Sequence, residues 1–141
     1  MLTIHYRSGY QYQLAAPYTV LIPIKPPAAD ISTEYISLLS FHASAAQLTC
    51  NRGYAWDGPS GPAIHTDTFM RSSLVHDALY QLMRHEYLPL SCRQDTDELL
   101  RSMNREDGMW AVRAWWVHLA VRKFGNPAAS PESRKPLRRA P

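Results

Sequence analysis

Polar and apolar residues alternate in the first part of the chain and recur at helical spacing in the second, with an aperiodic segment between the two. Tyr10, Tyr12 and Leu14 alternate with Gln11 and Gln13, the pattern of a strand with one buried face. Pro17 interrupts, Tyr18 to Ile24 is again β-rich, and Pro26-Pro27 stops it. Glu34 to Phe41, with Tyr35, Ile36, Leu38 and Leu39, and then Ala46 to Tyr54 predict further strands. Pro17, Pro23, Pro26 and Pro27 suit edge strands and loops, because proline has no N–H to give a central ladder. Residues 1 to about 56 therefore predict one small, mostly antiparallel sheet.

Past Asp67 the period becomes helical. Leu74, Val75, Ala78, Leu79 and Leu82 define the inner face of a helix capped by Asp67 or Thr68 and running to about His85. Tyr87-Leu88-Pro89 is a connection. Ser91 with Gln94 three residues later reads as a capping box that opens a second helix, through about Asn104, packed through Thr96, Leu99, Leu100 and Met103. A third helix is predicted from about Met109 to Phe124, with Val112, Trp116, Leu119 and Ala120 as its packing face and Gly125-Asn126-Pro127 as its end. Strands followed by helices make the fold class α+β, and the short connection makes the first two helices antiparallel. No internal repeat is present.

Between the two halves, Gly53 to Asp67 breaks every periodicity, with Gly58, Pro59, Gly61 and Pro62 turning the chain tightly. Irregular loops of this length inside a small domain often have a function.

A chain of 141 residues with 45% hydrophobic content is one domain with an ordinary core. The expected extent is 1–126, with 127–141 a disordered basic tail. That tail holds Arg134, Lys135, Arg138 and Arg139 against Glu132, so it accounts for the whole net charge of +3 and leaves the body neutral. A neutral body argues against a dedicated nucleic-acid site, and the tail can touch anionic lipid or nucleic acid only weakly. Cys50 and Cys92 are too few for a disulfide framework and read as reduced thiols. No apolar run of about 18 residues predicts a transmembrane helix. The segment Met1 to Gln13 lacks the basic start and apolar run of a signal peptide.

The candidate chemistry lies on the first helix. His76 and Tyr80, four apart, share a face, and Asp77 projects roughly 100° further round. A glycine-rich loop precedes this helix, and backbone carbonyls with a carboxylate form the donor set of a hard cation such as calcium. Asp77 with such a loop is thus a candidate calcium site, and His76 beside it a candidate general base. A base needs an orienter, and Asp95 and Asp97 on the second helix are both available; by wheel position Asp95 flanks the apolar face more closely, so helical geometry alone does not choose Asp97. The plainer readings are a locally bonded His–Asp pair, Tyr80 as core, Asp57 bonded to its own loop amides, and Trp56, Trp110, Trp115 and Trp116 as core or amphipathic surface. His5, His42, His65, His85 and His118 have no metal-ligand spacing among themselves.

Residues 53–97 resemble a family of short phage and prophage proteins. The shared pattern is a WDG-x-S loop (Trp56 to Ser60), an R-x-S-L-x-HD-x-x-Y-x-L helix (Arg71 to Leu82) and an Asp on the next helix. The resemblance implies a phage or prophage origin, placement in the bacterial host cytoplasm or the virion, and other phage proteins as partners; it implies no activity. The same segment is more distantly similar to phospholipase A2, in its secreted and parvoviral capsid forms. There a glycine-rich calcium loop precedes an HD-x-x-Y helix and an antiparallel helix bears an Asp. That similarity implies that His76 activates water, Asp97 orients it, Tyr80 supports the network, and Asp77 holds calcium with the carbonyls of Trp56, Gly58 and Ser60. Asp57, an additional carboxylate in the loop, is a further candidate ligand. It implies a calcium-dependent ester hydrolase acting on glycerophospholipid at a membrane surface. The chain departs from the secreted enzymes in having only two cysteines, and Pro59 and Pro62 remove two loop amides. Two other readings stand beside it. One is a non-enzymatic virion or tail accessory protein that uses the helices as scaffold. The other is a different metal-dependent hydrolase, for which His42 or His65 would have to approach Asp77.

Overall fold

Proline and burial together decide how the strand-rich half pairs. The computed structural model describes residues 4–7, 10–56 and 67–133. The strands are β1 (Ile4–Arg7), β2 (Tyr10–Leu14), β3 (Tyr18–Ile22), β4 (Ile31–Ser32), β5 (Ile36–His42), β6 (Ala45–Cys50) and β7 (Ala55–Trp56). They form two antiparallel sheets, in the orders β1-β2-β7 and β3-β6-β5-β4, where the pattern had predicted one. Pro17 lies at the break between β2 and β3, and the chain changes sheets there: β2 pairs with β7, while β3 becomes an edge against β6. Pro23, Pro26 and Pro27 fall outside every strand. In the larger sheet Ile36, Leu38, Ala46, Leu48 and Cys50 face inward with no exposure, which is the period-two reading of β5 and β6. Burial pushes the Cys50 thiol up to about 12, so it is an inert apolar filler. Cys92 is likewise free, and no disulfide joins the two.

The helices are α1 (Asp67–Arg84), α2 (Arg93–Glu106), α3 (Ala111–Phe124) and the single-turn α4 (Asn126–Ala129). α1 buries Leu74, Val75, Ala78, Leu79 and Leu82, the face that the periodicity predicts, in one core with both sheets. α1 and α2 are antiparallel: Arg71 meets Asp107, Ser72 meets Asn104, His76 meets Asp97 and Tyr80 meets Arg93. Arg71 grips the Asp107 carboxylate from Nε and a terminal nitrogen at 3.0 and 2.8 Å and donates to the Tyr18 hydroxyl at 3.3 Å, tying β3 to the helix pair.

Helix ends place the later helices. α1 closes with Tyr87 N–H on Leu82 C=O and Glu86 N–H on Met83 C=O, a Schellman pattern whose left-handed residue is Glu86, at φ 65°. α2 closes in the same way on Gly108, at φ 97°, with Met109 N–H on Asn104 C=O. That turn sends α3 back along α2. The capping box predicted at Ser91 and Gln94 does not form. Leu90–Cys92 is a 3-10 turn running directly into α2, so the cap position falls on Cys92, which is αR and makes no side-chain cap bond.

The predicted inner face of α3 is reversed. Ala114 and Val117 pack against Phe69, Leu100 and Met109, while Val112, Trp116 and Leu119 lie exposed. Apolar residues lie on several sides of α3, interleaved with Arg113, His118, Arg122 and Lys123, so periodicity could not choose a face, and the small Ala114 admits close approach to α2 where the tryptophans would not. Order continues past the expected boundary at 127: Ala129 is fully buried and Ser130 nearly so, and Arg84 donates to the Ala128 carbonyl at 2.7 Å. Among the described residues no helix is long and apolar enough to cross a membrane.

Candidate functional site

The α1–α2 seam carries a buried polar cluster around Asp97. Its carboxylate has no solvent exposure and is fully engaged. Oδ1 accepts from His76 Nε2 at 2.8 Å and from the Tyr80 hydroxyl at 2.5 Å; Oδ2 accepts from Arg122 at 3.0 Å. The structure thus selects Asp97, not Asp95, as the partner of His76. Asp95 lies exposed on another face of α2.

Chain geometry explains why these residues meet. His76 and Tyr80 stack along one face of α1, ring centroids 4.0 Å apart, so both polar tips reach the same carboxylate. Arg93, one turn before Asp97, donates through Nε to the Tyr80 hydroxyl at 3.2 Å, with Asp97 Oδ2 at 3.9 Å. Its other nitrogen caps α3 through the carbonyls of Val121 and Arg122 at 2.7 and 2.8 Å. His118 Nδ1 donates to the Asp97 main-chain carbonyl at 3.1 Å. Three helices therefore converge on one carboxylate.

The electrostatics follow from burial and charge. Burial raises the Asp97 carboxyl, but bonding from His76 and Tyr80 and the His76 and Arg122 contacts outweigh it, so Asp97 is held below the usual carboxylate range. Burial lowers the His76 imidazolium, while bonding to Asp77 and Asp97 and their charge raise it further, so His76 is shifted up. Tyr80 is pushed well above its usual value by burial, then by the hydrogen bond to Asp97, against the opposing effect of Arg93. A carboxylate can only accept, so Nε2 carries a proton and neutral His76 keeps its lone pair on Nδ1. Nδ1 faces Asp77, whose Oδ1 is 3.7 Å away and whose side chain is one-third exposed.

The predicted metal ligands divide. Asp77 stands on the Nδ1 side of His76. Trp56 ends β7 with its ring buried, stacked on Tyr54 at 6.4 Å and tilted against Tyr12 at 5.4 Å. Trp56 Nε1–H donates to Ser73 Oγ at 3.2 Å, and Ser73 precedes Asp77 by one helical turn. The Trp of the loop motif and the Ser of the helix motif are thus bonded, which holds the Trp56 ring one helical turn from Asp77. Asp57, Gly58 and Ser60 lie outside the described residues, as does His65. Among the described residues no three His, Cys, Asp or Glu side chains cluster as a metal-ligand set.

Sequence reasoning missed Arg93, Arg122, His118 and Gly125. The Arg93–Asp97 spacing of four was the one local signal available. Gly125 ends α3 at φ −80°, so its role is space rather than backbone freedom. A Cβ there would lie 2.8 Å from the Tyr80 hydroxyl and 2.5 Å from the Val121 carbonyl oxygen. Gly125→Ala is expected to cost about 1–3 kcal/mol by overpacking, and Gly125→Ala in a Tyr80→Phe background to cost less. Thermal unfolding of the three variants checks both.

Compared with protein-family models, curated proteins and solved structures, the chain matches none of them.

Proposed function

We propose that the protein is a calcium-dependent ester hydrolase of phospholipase A2 type, of phage or prophage origin, acting on glycerophospholipids. The observation that carries this reading is the single carboxylate, Asp97, that fixes His76 by its Nε2 and leaves Nδ1 toward Asp77. An imidazole held at one nitrogen by a buried carboxylate, with the other turned toward a second, partly exposed carboxylate, is an arrangement a general base can use. In the reaction, water loses a proton to His76 Nδ1 as its oxygen bonds to the ester carbonyl carbon. The tetrahedral oxyanion then collapses, the bond to the glycerol oxygen breaks, and His76 returns the proton to that oxygen. The products are a fatty acid and a lysophospholipid. Asp97 steadies the imidazolium between the two transfers, and Tyr80, Arg93 and Arg122 keep Asp97 ionised and in place. Calcium bound by Asp77 and the loop carbonyls of Trp56, Gly58 and Ser60 would supply positive charge to the carbonyl oxygen. Asp57 is proposed as an additional ligand in that loop.

One observation favours a second reading. His76 is only 8% exposed and Asp97 fully buried, as in a polar network that locks three helices for a scaffold role among other phage proteins. Calcium separates the two. The hydrolase raises its melting temperature with millimolar calcium, Asp77→Asn abolishes that rise, and a chelator stops fatty-acid release. A melting temperature and a lipid composition that calcium leaves unchanged would support the scaffold instead.

A further inference from the structure

α3 presents to solvent a face that a helix of a small domain ordinarily buries. Val112, Trp115, Trp116 and Leu119 recur at i, i+3, i+4 and i+7 and are 78, 50, 51 and 46% exposed. Single exposed apolar residues are commonplace, but a continuous stripe marks a contact surface. Trp110, just before the helix, and Phe124, at its end, are also exposed but lie off the stripe.

Charge selects the occupant. From Gly108 through Pro131 the sequence contains no Asp or Glu. Lys123 is exposed and falls in the stripe one turn beyond Leu119, and Arg134, Lys135, Arg138 and Arg139 follow Glu132 in the sequence. Indole rings settle at the headgroup level of a bilayer, and a lysine stem lies along the apolar surface with its ammonium at the phosphates. The geometry points to α3 as the surface by which the protein adsorbs to a bilayer carrying anionic headgroups. The inference deepens the hydrolase reading and rests on it for its purpose, because the same helix reaches the site. Arg122 on α3 bonds Asp97, and Asp97 bonds His76 at Nε2, so the adsorbing helix is joined through one carboxylate to the nitrogen opposite the candidate base Nδ1.

Adsorption can be measured without turnover. Full-length protein is sedimented with vesicles of ether-linked phosphatidylcholine, or of ether-linked phosphatidylcholine with phosphatidylglycerol, in the absence of calcium. The expected result is binding to the anionic vesicles, weakened at high salt, and reduced about tenfold or more by Trp115→Ser/Trp116→Ser and several-fold by Lys123→Glu. Circular dichroism verifies that each variant is folded. No binding to anionic vesicles, or binding that the double substitution leaves intact, overturns the inference. So does a dimer in sedimentation equilibrium that the double substitution splits, with no vesicle binding: the face then joins two copies of the chain. A protein that adsorbs through α3 but releases no fatty acid from ester-linked vesicles refutes the hydrolase reading alone.

Discussion

Asp97→Ala is expected to destabilise the protein by about 3–5 kcal/mol, the usual cost of removing one partner from a buried ion pair. The carboxylate receives His76, Tyr80 and Arg122 and sits opposite Arg93, so its loss strands donors from α1 and α3 at once. A small domain has a total stability of about 5–15 kcal/mol, so a fifth or more of it is at stake. Asp97→Asn keeps the volume and one acceptor but turns an amide toward Arg122, and an intermediate loss is expected. Asp95→Ala, at an exposed position, is expected to stay within about 0.5 kcal/mol. Urea unfolding of the three variants decides the matter; equal losses at Asp95 and Asp97 would contradict the network. The Asp97 carboxyl is held low in the folded state, so its contribution is present above the unfolded value of about 4. It is lost as the pH falls through the lower folded value. The difference in stability between the wild type and Asp97→Asn should therefore shrink toward pH 2.

His76→Ala is expected to lower fatty-acid release by about 10²–10⁴-fold, the contribution of a positioned general base. Its effect on stability should be smaller than that of Asp97→Ala, because the carboxylate left behind is still paired. Asp97 keeps Tyr80 and Arg122 in the variant. Activity and stability are thus expected to separate at His76 and to fall together at Asp97. A scaffold predicts another outcome: His76→Ala would lose only stability, and no hydrolysis would exist to be lost.

Much of the fold was legible because its signals are local. The strand alternation at Tyr12 and Leu14, the helical spacing from Leu74 to Leu82 and the prolines outside the strands follow from the period of each element and from the chemistry of proline. What escaped depends on three-dimensional neighbours. The capping box at Ser91 lost to a 3-10 turn set by the approach of Pro89 to Cys92. The second turn that organises the helices sits on Gly108, a recognisable signal, whereas the first sits on Glu86, where no residue preference announces it. The face of α3 was unreadable because its apolar residues are spread round the helix among Arg113, His118, Arg122 and Lys123. At the site, His76, Asp77 and Tyr80 were findable by spacing on one helix. The choice of Asp97 over Asp95 needed the observed crossing of α1 and α2, and the support from Arg93, Arg122 and His118 needed the position of α3.

The central claim is that His76 is a base for ester hydrolysis, and its most direct test is fatty-acid release from ester-linked mixed phospholipid vesicles by the wild type and by His76→Ala. Both proteins are first shown to be folded by circular dichroism, and both are assayed with calcium and with chelator. The account predicts release by the wild type in calcium alone and none above background by the folded variant. A folded wild type that releases nothing, or a His76→Ala variant as active as the wild type, would contradict it.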